Sequence, residues 1–377
     1  MNSADIAICG AGPVGLAAAL LLVRHGVAPG RIALLDAKNA EQAAADPRSI
    51  AISYGSRQIL EQLGAWPLAA ADEIHQIHVS RRGHFGRTLI EREEMGVPAL
   101  GYVTRYGALT AALGASAERA GITVLRPRKV EHMDETDDAV SLTGAGETLH
   151  AQIAIQAEGG LFGEQENKGL RRDYEQSAIV AQVWSNAPVG QRAFERFTEE
   201  GPLALLPQDG GYALVWCVRP ARAEALLALS DAEFLKALGD AFGTRVGGFT
   251  RTTPRHAFVL GLNARAAASK RTVAIGNASQ TLHPVAGQGL NLGLRDAVVL
   301  AQCLRKGIAP ESLASFVQRR DADRKVTIRL TDTMARIFTS APDGSLTQGL
   351  LGASLGAIDL LKPAKEILAE QMMFGWR

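Results

Sequence analysis

Cysteine is scarce in this chain of 377 residues: Cys9, Cys217 and Cys303 are the only three. They are scattered and odd in number, which excludes a cysteine-type metal cluster and fits a reducing compartment. An excess of charge of one sign is also lacking. Forty basic residues stand against 39 acidic ones, a net charge of +1, so composition gives no reason to expect nucleic acid as a partner. No run reaches the roughly 20 uninterrupted apolar residues of a membrane-spanning helix. The opening residues, Met1-Asn2-Ser3-Ala4-Asp5, carry no basic segment of the kind that begins a signal peptide. The expected location is therefore cytoplasmic, with any membrane contact peripheral. Internal repeats and low-complexity tracts are missing as well. What remains is an ordinary globular composition, 47% hydrophobic, long enough for two domains or one large one.

The most informative stretch runs from Thr272 to Asp296. A short apolar run meets Gly276-Asn277, a glycine-rich loop crosses His283-Pro284, and a helical pattern begins near Gly289. Gly287 and Gly289 lack a Cβ, so the backbone can approach a flat ligand closely. The helix start that follows supplies unpaired N–H groups and a partial positive charge. Reduced flavin or a phosphate, each anionic, suits such a place.

At the other end, the apolar run Asp5–Cys9 leads into Gly10-Ala11-Gly12-Pro13-Val14-Gly15 and then a long apolar segment to His25-Gly26. This reads as strand, glycine turn and buried helix with a glycine stop. Arg31–Leu35 is the next strand. Asp36 closes it at the distance from Gly15 where an acid meets an adenosine ribose in dinucleotide folds. Arg48, in the loop Asp46–Ile52, reads either as a solvated charge or as a cation over a pyrophosphate. Glu158-Gly159-Gly160, after the buried run Ala151–Ala157, suits a contact to ribose or ribityl hydroxyls, or a simple turn.

Between these, Ile74–Ser80 and Thr88–Ile90 alternate apolar and polar residues and predict a hairpin crossing to a second domain. The arginines of Arg81-Arg82-Gly83-His84-Phe85-Gly86-Arg87 make either a solvated turn or a docking patch for a charged cofactor, the turn being the simpler reading. A helix from Tyr106 to about Arg119 and a meander over Val130–His150 follow. Four strands within Tyr174–Val218 predict an antiparallel sheet. Ser230-Asp231-Ala232-Glu233 is a capping box opening a helix to about Phe242, and His256–Leu262 is a last strand. Beyond Asp296 the pattern is helical, in separate segments over Ser312–Arg319 and from Asp321 to Phe338. The apolar and basic tail after Leu346 suits packing on its own domain, on a partner or on a lipid surface.

The strings Gly10–Gly15, Glu158-Gly159 and Gly276–Asn291, in that order, resemble the flavin-dependent aromatic hydroxylases that share the para-hydroxybenzoate hydroxylase fold. Arg48-Ser49-Ile50-Ala51-Ile52, Leu63-Gly64-Ala65-Trp66, Arg82-Gly83-His84-Phe85-Gly86, Leu100-Gly101-Tyr102-Val103, Tyr174-Glu175-Gln176, Gly276-Asn277-Ala278-Ser279-Gln280-Thr281-Leu282-His283-Pro284 and Leu294-Arg295-Asp296 narrow the resemblance. They look like the ubiquinone-biosynthesis branch, of the 2-polyprenyl-6-methoxyphenol hydroxylase type. The resemblance implies an α/β fold: a Rossmann-like FAD-binding domain over 1–73, 98–173 and 264–335, an inserted antiparallel-sheet substrate domain over 74–97 and 174–263, and a helical tail over 336–377. It implies FAD as cofactor, NAD(P)H as reductant and hydroxylation of a polyprenylated phenol by dioxygen through a flavin hydroperoxide. It also implies peripheral contact with the inner face of the membrane through 346–377 and membership of a quinone-biosynthesis assembly.

Carried over by position, Gly10, Gly12 and Gly15 take the FAD pyrophosphate, Asp36 the adenine-side ribose, and Arg48 and Arg105 the ribityl–pyrophosphate portion. Gly276 and Asn277 meet pyrophosphate or ribityl hydroxyls, and Gly287, Gln288, Gly289, Leu290 and Asn291 hold the isoalloxazine. His283 and Pro284 stand at its reactive face, and Phe197, Pro207, Tyr212 and Trp216 belong to the sheet covering the substrate ring. Two positions depart from the family pattern, Glu158 for Asp and Asn277 for Asp, although the ubiquinone branch itself uses Asn at the second. The same fold also serves hydroxylation of a soluble phenol, reduction of isoprenoid double bonds, or a non-catalytic subunit that holds prenylated intermediates. The Trp-x-Trp-x-Ile-Pro string of flavin halogenases is absent.

Overall fold

In a computed structural model of the chain, residues 3–66, 71–82, 87–159, 170–264, 268–281, 283, 287–337 and 362–375 are described. Strand Ser3–Cys9 lies between Ile32–Leu35 and Glu147–Gln156, parallel to both, with Ile6 opposite Ile32 and Ile153. Thr272–Ala274 joins the same sheet parallel to Glu147–Gln156, Ile155 facing Val273. Val124–Leu125, Val140–Gly144 and His132–Glu135 complete seven strands. Each central strand is apolar without alternation because both of its faces are covered, one by helices and the other by the meander, where Ala7, Cys9, Ala33 and Leu35 pack with Val140, Leu142 and Leu149. Ile6, Ile8, Leu34, Ile153 and Ile155 pack with Leu16 and Leu20 of helix Pro13–Arg24, Leu109 and Leu113 of Tyr106–Arg119, and Leu294 and Leu300 of Gln288–Leu304.

A nine-stranded sheet forms the second layer system, in the order Gln280–Thr281, His256–Ala264, Leu170–Ser185, Gly211–Val218, Pro202–Gln208, Arg192–Phe197, Gln76–Arg81, Arg87–Glu91, with Phe249–Thr252 also on Leu170–Ser185. Its helix-covered face buries Phe194, Leu205, Leu214 and Trp216 against Phe234, Leu238 and Phe242 of helix Asp231–Phe242. Ser230 caps that helix with the reciprocal Glu233 bond that its sequence predicts. A small sheet of Ser49–Ser53, Gly101–Arg105 and Asp72–Ile74 lies beside it.

Several sequence expectations need correction. The run Ile74–Ser80 is not one strand: it breaks at His75, so Asp72–Ile74 pairs in the small sheet and Gln76–Arg81 in the large one. The large sheet is antiparallel except where Arg192–Phe197 runs parallel to Gln76–Arg81, because the hairpin enters it from a distant part of the chain. The loop after Gly276 contains a 3₁₀ turn, Gly276–Ala278, and a short strand, Gln280–Thr281, on the large sheet. Helix Pro220–Ala228, opened by its own proline, was not expected. The two helical segments after Ser312 are one helix, Pro310–Ile337. No glycine or proline interrupts it, and the pairs Asp321–Lys325 and Arg320–Asp323 carry it through the polar stretch.

That helix anchors the glycine-rich loop through buried charges. Arg320 Nε donates to Asp296 Oδ1 at 2.8 Å and its Nη1 to Asp323 Oδ2 at 2.5 Å, while Arg295 Nε donates to Asp323 at 3.0 Å. The other Asp296 oxygen accepts the Gly276 backbone N–H at 3.2 Å. Arg324 holds Gln280 at 2.9 Å and also bonds Ser279. Asp296 is fully buried, so removing it strands guanidinium charge in the interior. Asp296→Ala is expected to cost about 3–5 kcal/mol of unfolding free energy, measured by denaturant titration. A loss within the noise of surface substitutions would contradict this placement.

Candidate functional site

Parallel strands end at one rim of the seven-stranded sheet, and the sequence-predicted residues lie on it. Gly10 follows Cys9, Asp36 follows Leu35, Glu158 stands two residues after Gln156, and Gly276 two after Ala274. In open α/β sheets, ligands bind at these carboxyl ends. The glycines fit by necessity. A Cβ on Gly10, whose φ is +99°, would lie 2.8 Å from the Glu158 nitrogen; one on Gly12 would lie 2.6 Å from the Tyr106 hydroxyl; one on Gly15 would strike the Gly10 carbonyl oxygen. Gly12 starts helix Pro13–Arg24 with no side-chain cap, leaving a helix N-terminus suited to a pyrophosphate.

Asp36 is tied into this loop: one oxygen accepts the Ala11 N–H at 2.6 Å and the other the Lys38 N–H at 2.7 Å. Burial, with Asp36 adding to it, raises the pKa of Glu158, as expected of two acids facing the same rim. Arg48 stacks 4.6 Å from the centre of the Tyr106 ring and bonds Asp46 at 2.7 Å, which brings it beside Gly12 through Tyr106. Arg105, which directly precedes Tyr106, turns its guanidinium to Asp209 at 2.7 Å and to Gln182 of the large sheet at 3.1 Å. Two residues at the loop escaped the sequence reading. Tyr106 walls Gly12, and Arg126 donates to the Ala11 carbonyl at 3.0 Å. Only three-dimensional proximity reveals them, since neither sits in a motif.

The second glycine segment begins at Gly287, which takes φ +58° and starts helix Gln288–Leu304, again without a side-chain cap. A Cβ on Gly289 would lie 3.7 Å from Asn277 Oδ1, so the two predicted residues are neighbours. Gln288 and Asn291 instead turn their side chains to the protein. Asn291 is buried, accepts the Ser53 N–H at 2.9 Å and donates to the Gly287 and Ala51 carbonyls at 2.8 and 3.2 Å. Gln288 donates to the Met372 carbonyl at 3.3 Å, and Leu290 packs on the core. The segment therefore offers a ligand its backbone and glycine faces. The C-terminal helix Lys362–Phe374 packs here through Met373, whose carbonyl accepts the Ser53 hydroxyl at 2.9 Å, and through Lys365, 2.7 Å from Glu94. Among tail residues 346–377, those at 346–361 and 376–377 lie outside the described residues, as does Pro284.

His283 is buried, its Nε2 3.0 Å from Gln176 Oε1 and its ring edge-on to Tyr174 at 5.2 Å. Burial pushes its pKa down to about 4. It faces the side of the large sheet opposite the helices, where Ala178, Cys217 and Leu260 pack with Tyr174 and Val215 and, further along, Ala193 and Ala213 pack on Ile74 and Val103 of the small sheet. Tyr212 and Trp216, expected to cover the substrate ring, belong to the opposite, helix-covered face. Strand alternation decides this, since Trp216 and Cys217 must point to opposite sides.

An FAD binding domain family model matches residues 3–329. The chain belongs to this family. It is an FAD-dependent monooxygenase, and the paired uncapped helix starts and bare glycine faces fit that cofactor. The ubiquinone hydroxylase UbiL of Rhodospirillum rubrum is 29% identical over 402 residues, covering 98% of this chain and 89% of that one. The 3-demethoxyubiquinol 3-hydroxylase of Escherichia coli is 31% identical over 312 residues, covering 80% and 79%. Among solved structures, p-nitrophenol 4-monooxygenase PnpA of Pseudomonas putida shares the fold over 100% of both chains, with a TM-score of 0.79 at 18% identity.

Two predictions follow from this geometry. In Gly289→Asp the helix start tolerates the new carboxylate, so its circular dichroism is expected to persist while the purified protein loses its yellow colour; a fully coloured variant would contradict the placement. For His283, the unfolded imidazole takes up a proton near pH 6.5 but the folded one only near pH 4. Protonation thus favours unfolding, and stability is expected to fall as pH drops from about 6.5 to about 4. His78, also held near 4 by burial and then by Arg245, contributes the same way. His283→Gln is expected to flatten the acid limb of a pH–stability curve, and an unchanged limb would show that His283 titrates normally.

Proposed function

We propose that this monooxygenase hydroxylates the aromatic ring of a polyprenylated phenol in ubiquinone biosynthesis, with NAD(P)H as reductant and dioxygen as the oxygen source. The observation that carries this reading is the similarity, over 98% and 80% of this chain, to two relatives named as a ubiquinone hydroxylase and a 3-demethoxyubiquinol 3-hydroxylase. Bound FAD supplies the redox chemistry, taking electrons from NAD(P)H and using dioxygen to deliver one oxygen atom to the ring.

In this reading the chain's residues bind, orient and exclude water. The backbone of Gly10–Gly15 and the start of helix Pro13–Arg24 hold the pyrophosphate, with Arg48 and Arg126 as nearby cations and Asp36 at the ribose. Asn277, Gly287 and Gly289 line the ring end of the cofactor, and the start of helix Gln288–Leu304 stabilises negative charge there. Glu158 sits at the same rim, beside the ribose. The large sheet is the substrate lobe. Its face opposite the helices supplies an apolar wall of Ala178, Cys217, Val215 and Leu260 against which a ring and the root of a prenyl chain pack. His283 stays neutral at physiological pH, because its pKa is held near 4 by burial, so it positions by hydrogen bond rather than by charge. A long prenyl tail implies peripheral contact with a membrane, and the pathway implies assembly partners.

The test is oxygen uptake and NAD(P)H oxidation by the FAD-loaded protein with a prenylated phenol added. Stimulated uptake and a product heavier by one oxygen atom are expected. Stimulation by soluble phenols alone would overturn the prenyl assignment, and no stimulation by any phenol would overturn the hydroxylase assignment.

A further inference from the structure

Uncompensated positive charge collects at the far edge of the nine-stranded sheet, on the face away from His283. Strand register builds the cluster. His78 stands opposite Phe194 and Ser80 opposite Arg196 in the parallel pair, and Ser80 opposite Arg87 in the antiparallel one. Residues opposite one another share a face, so His78, Arg196 and Arg87 do. Phe194 on that face meets Phe242 at 5.5 Å, and the segment following Phe242 brings in Arg245. Arg82 extends strand Gln76–Arg81, its N–H donating to the Phe197 carbonyl at 3.0 Å.

Other guanidinium groups of the chain are paired with carboxylates, Arg48 with Asp46, Arg105 with Asp209 and Arg320 with Asp296 among them. Arg82, Arg87, Arg196 and Arg245 have no carboxylate or side-chain hydrogen-bond partner among the described residues. Nε and Nη1 of Arg196 and Nδ1 of His78 are closed off from solvent with no partner. The charges are near enough to act on one another. Burial, then Arg245 and Arg82, lower the pKa of Arg196 to about 10. Burial, then Arg245, with Arg87 and Arg192 adding, hold His78 near 4. Like charges held together without a counter-charge cost stability, and orphaned buried donors cost more. A bound oxyanion relieves both.

We propose that this face is an oxyanion site that takes a phosphate group, with Arg82, Arg196 and Arg245 as its cations and Arg87 at its rim. Phosphate suits it better than a carboxylate. It offers three oxygens and up to two charges to several planar guanidinium forks, where a carboxylate offers two oxygens and one charge. The site is separate from the dinucleotide rim, which belongs to the other large sheet, and it does not depend on which phenol is hydroxylated. The phosphate belongs either to a phospholipid headgroup or to a soluble phosphate-bearing molecule.

The test uses FAD-loaded protein, wild type and an R82Q/R245Q double variant, both positions being exposed. One arm titrates inorganic pyrophosphate against sodium chloride at matched ionic strength, read by calorimetry. The other measures co-sedimentation with phosphatidylcholine vesicles with and without phosphatidylglycerol. Wild-type binding in at least one arm, weakened about tenfold or more in the double variant at unchanged FAD content, is expected. Binding of pyrophosphate alone assigns a soluble ligand, and binding of anionic vesicles alone a headgroup. As an independent readout, NMR titration of His78 is expected to show its pKa rising in wild type when the bound anion is present. No binding beyond the chloride control in either arm, or equal binding by the double variant, would overturn the proposal.

Discussion

Everything at the glycine-lined rim depends on strands Ser3–Cys9, Ile32–Leu35, Glu147–Gln156 and Thr272–Ala274 running parallel. Parallel pairing places their carboxyl ends together, and so places Gly10, Asp36, Glu158 and Gly276 side by side although they are scattered through the chain. The same arrangement points the N-terminus of helix Pro13–Arg24 at the rim, because the chain must turn back over the sheet there. Glycine at the turn is a packing requirement before it is a functional one: a side chain at Gly15 would collide with the Gly10 carbonyl oxygen.

The second glycine segment is held by a different kind of force. The loop that leads into it is tethered at its start by the N–H bond from Gly276 to Asp296, and Asp296 is neutralised by Arg320. Burying such a pair is expensive and is tolerated only with its hydrogen bonds made. Here those bonds fix the start of the loop. Asn291 does similar work at the other end, joining the helix start to strand Ser49–Ser53. With both ends fixed by the protein's own polar groups, the backbone of the segment is left for the ligand.

Much of this was legible in the sequence. The glycine spacings, the acid after the second strand, the capping box at Ser230 and the meander before Gln156 each express a local rule that tertiary contacts do not override. Non-local features were less so. Nothing in the run Ile74–Ser80 shows that a bend at His75 sends its halves to different sheets. Arg126 and Tyr106 join the glycine loop through folding alone, and Gln288 and Asn291 lie at the expected helix start yet turn their side chains inward. The faces of Tyr212 and Trp216 could be read relative to Cys217 by alternation, but not which side the helices cover.

The most direct measurement of the central claim is amide hydrogen exchange of the protein stripped of FAD and then reloaded with it. If the cofactor lies along the rim between the two uncapped helix starts, reloading slows exchange in peptides covering Gly10–Leu16 and Gly287–Asn291 together, while strands of the large sheet remote from His283 change little. Slowing confined to the large sheet, or to only one of the two glycine segments, would contradict it.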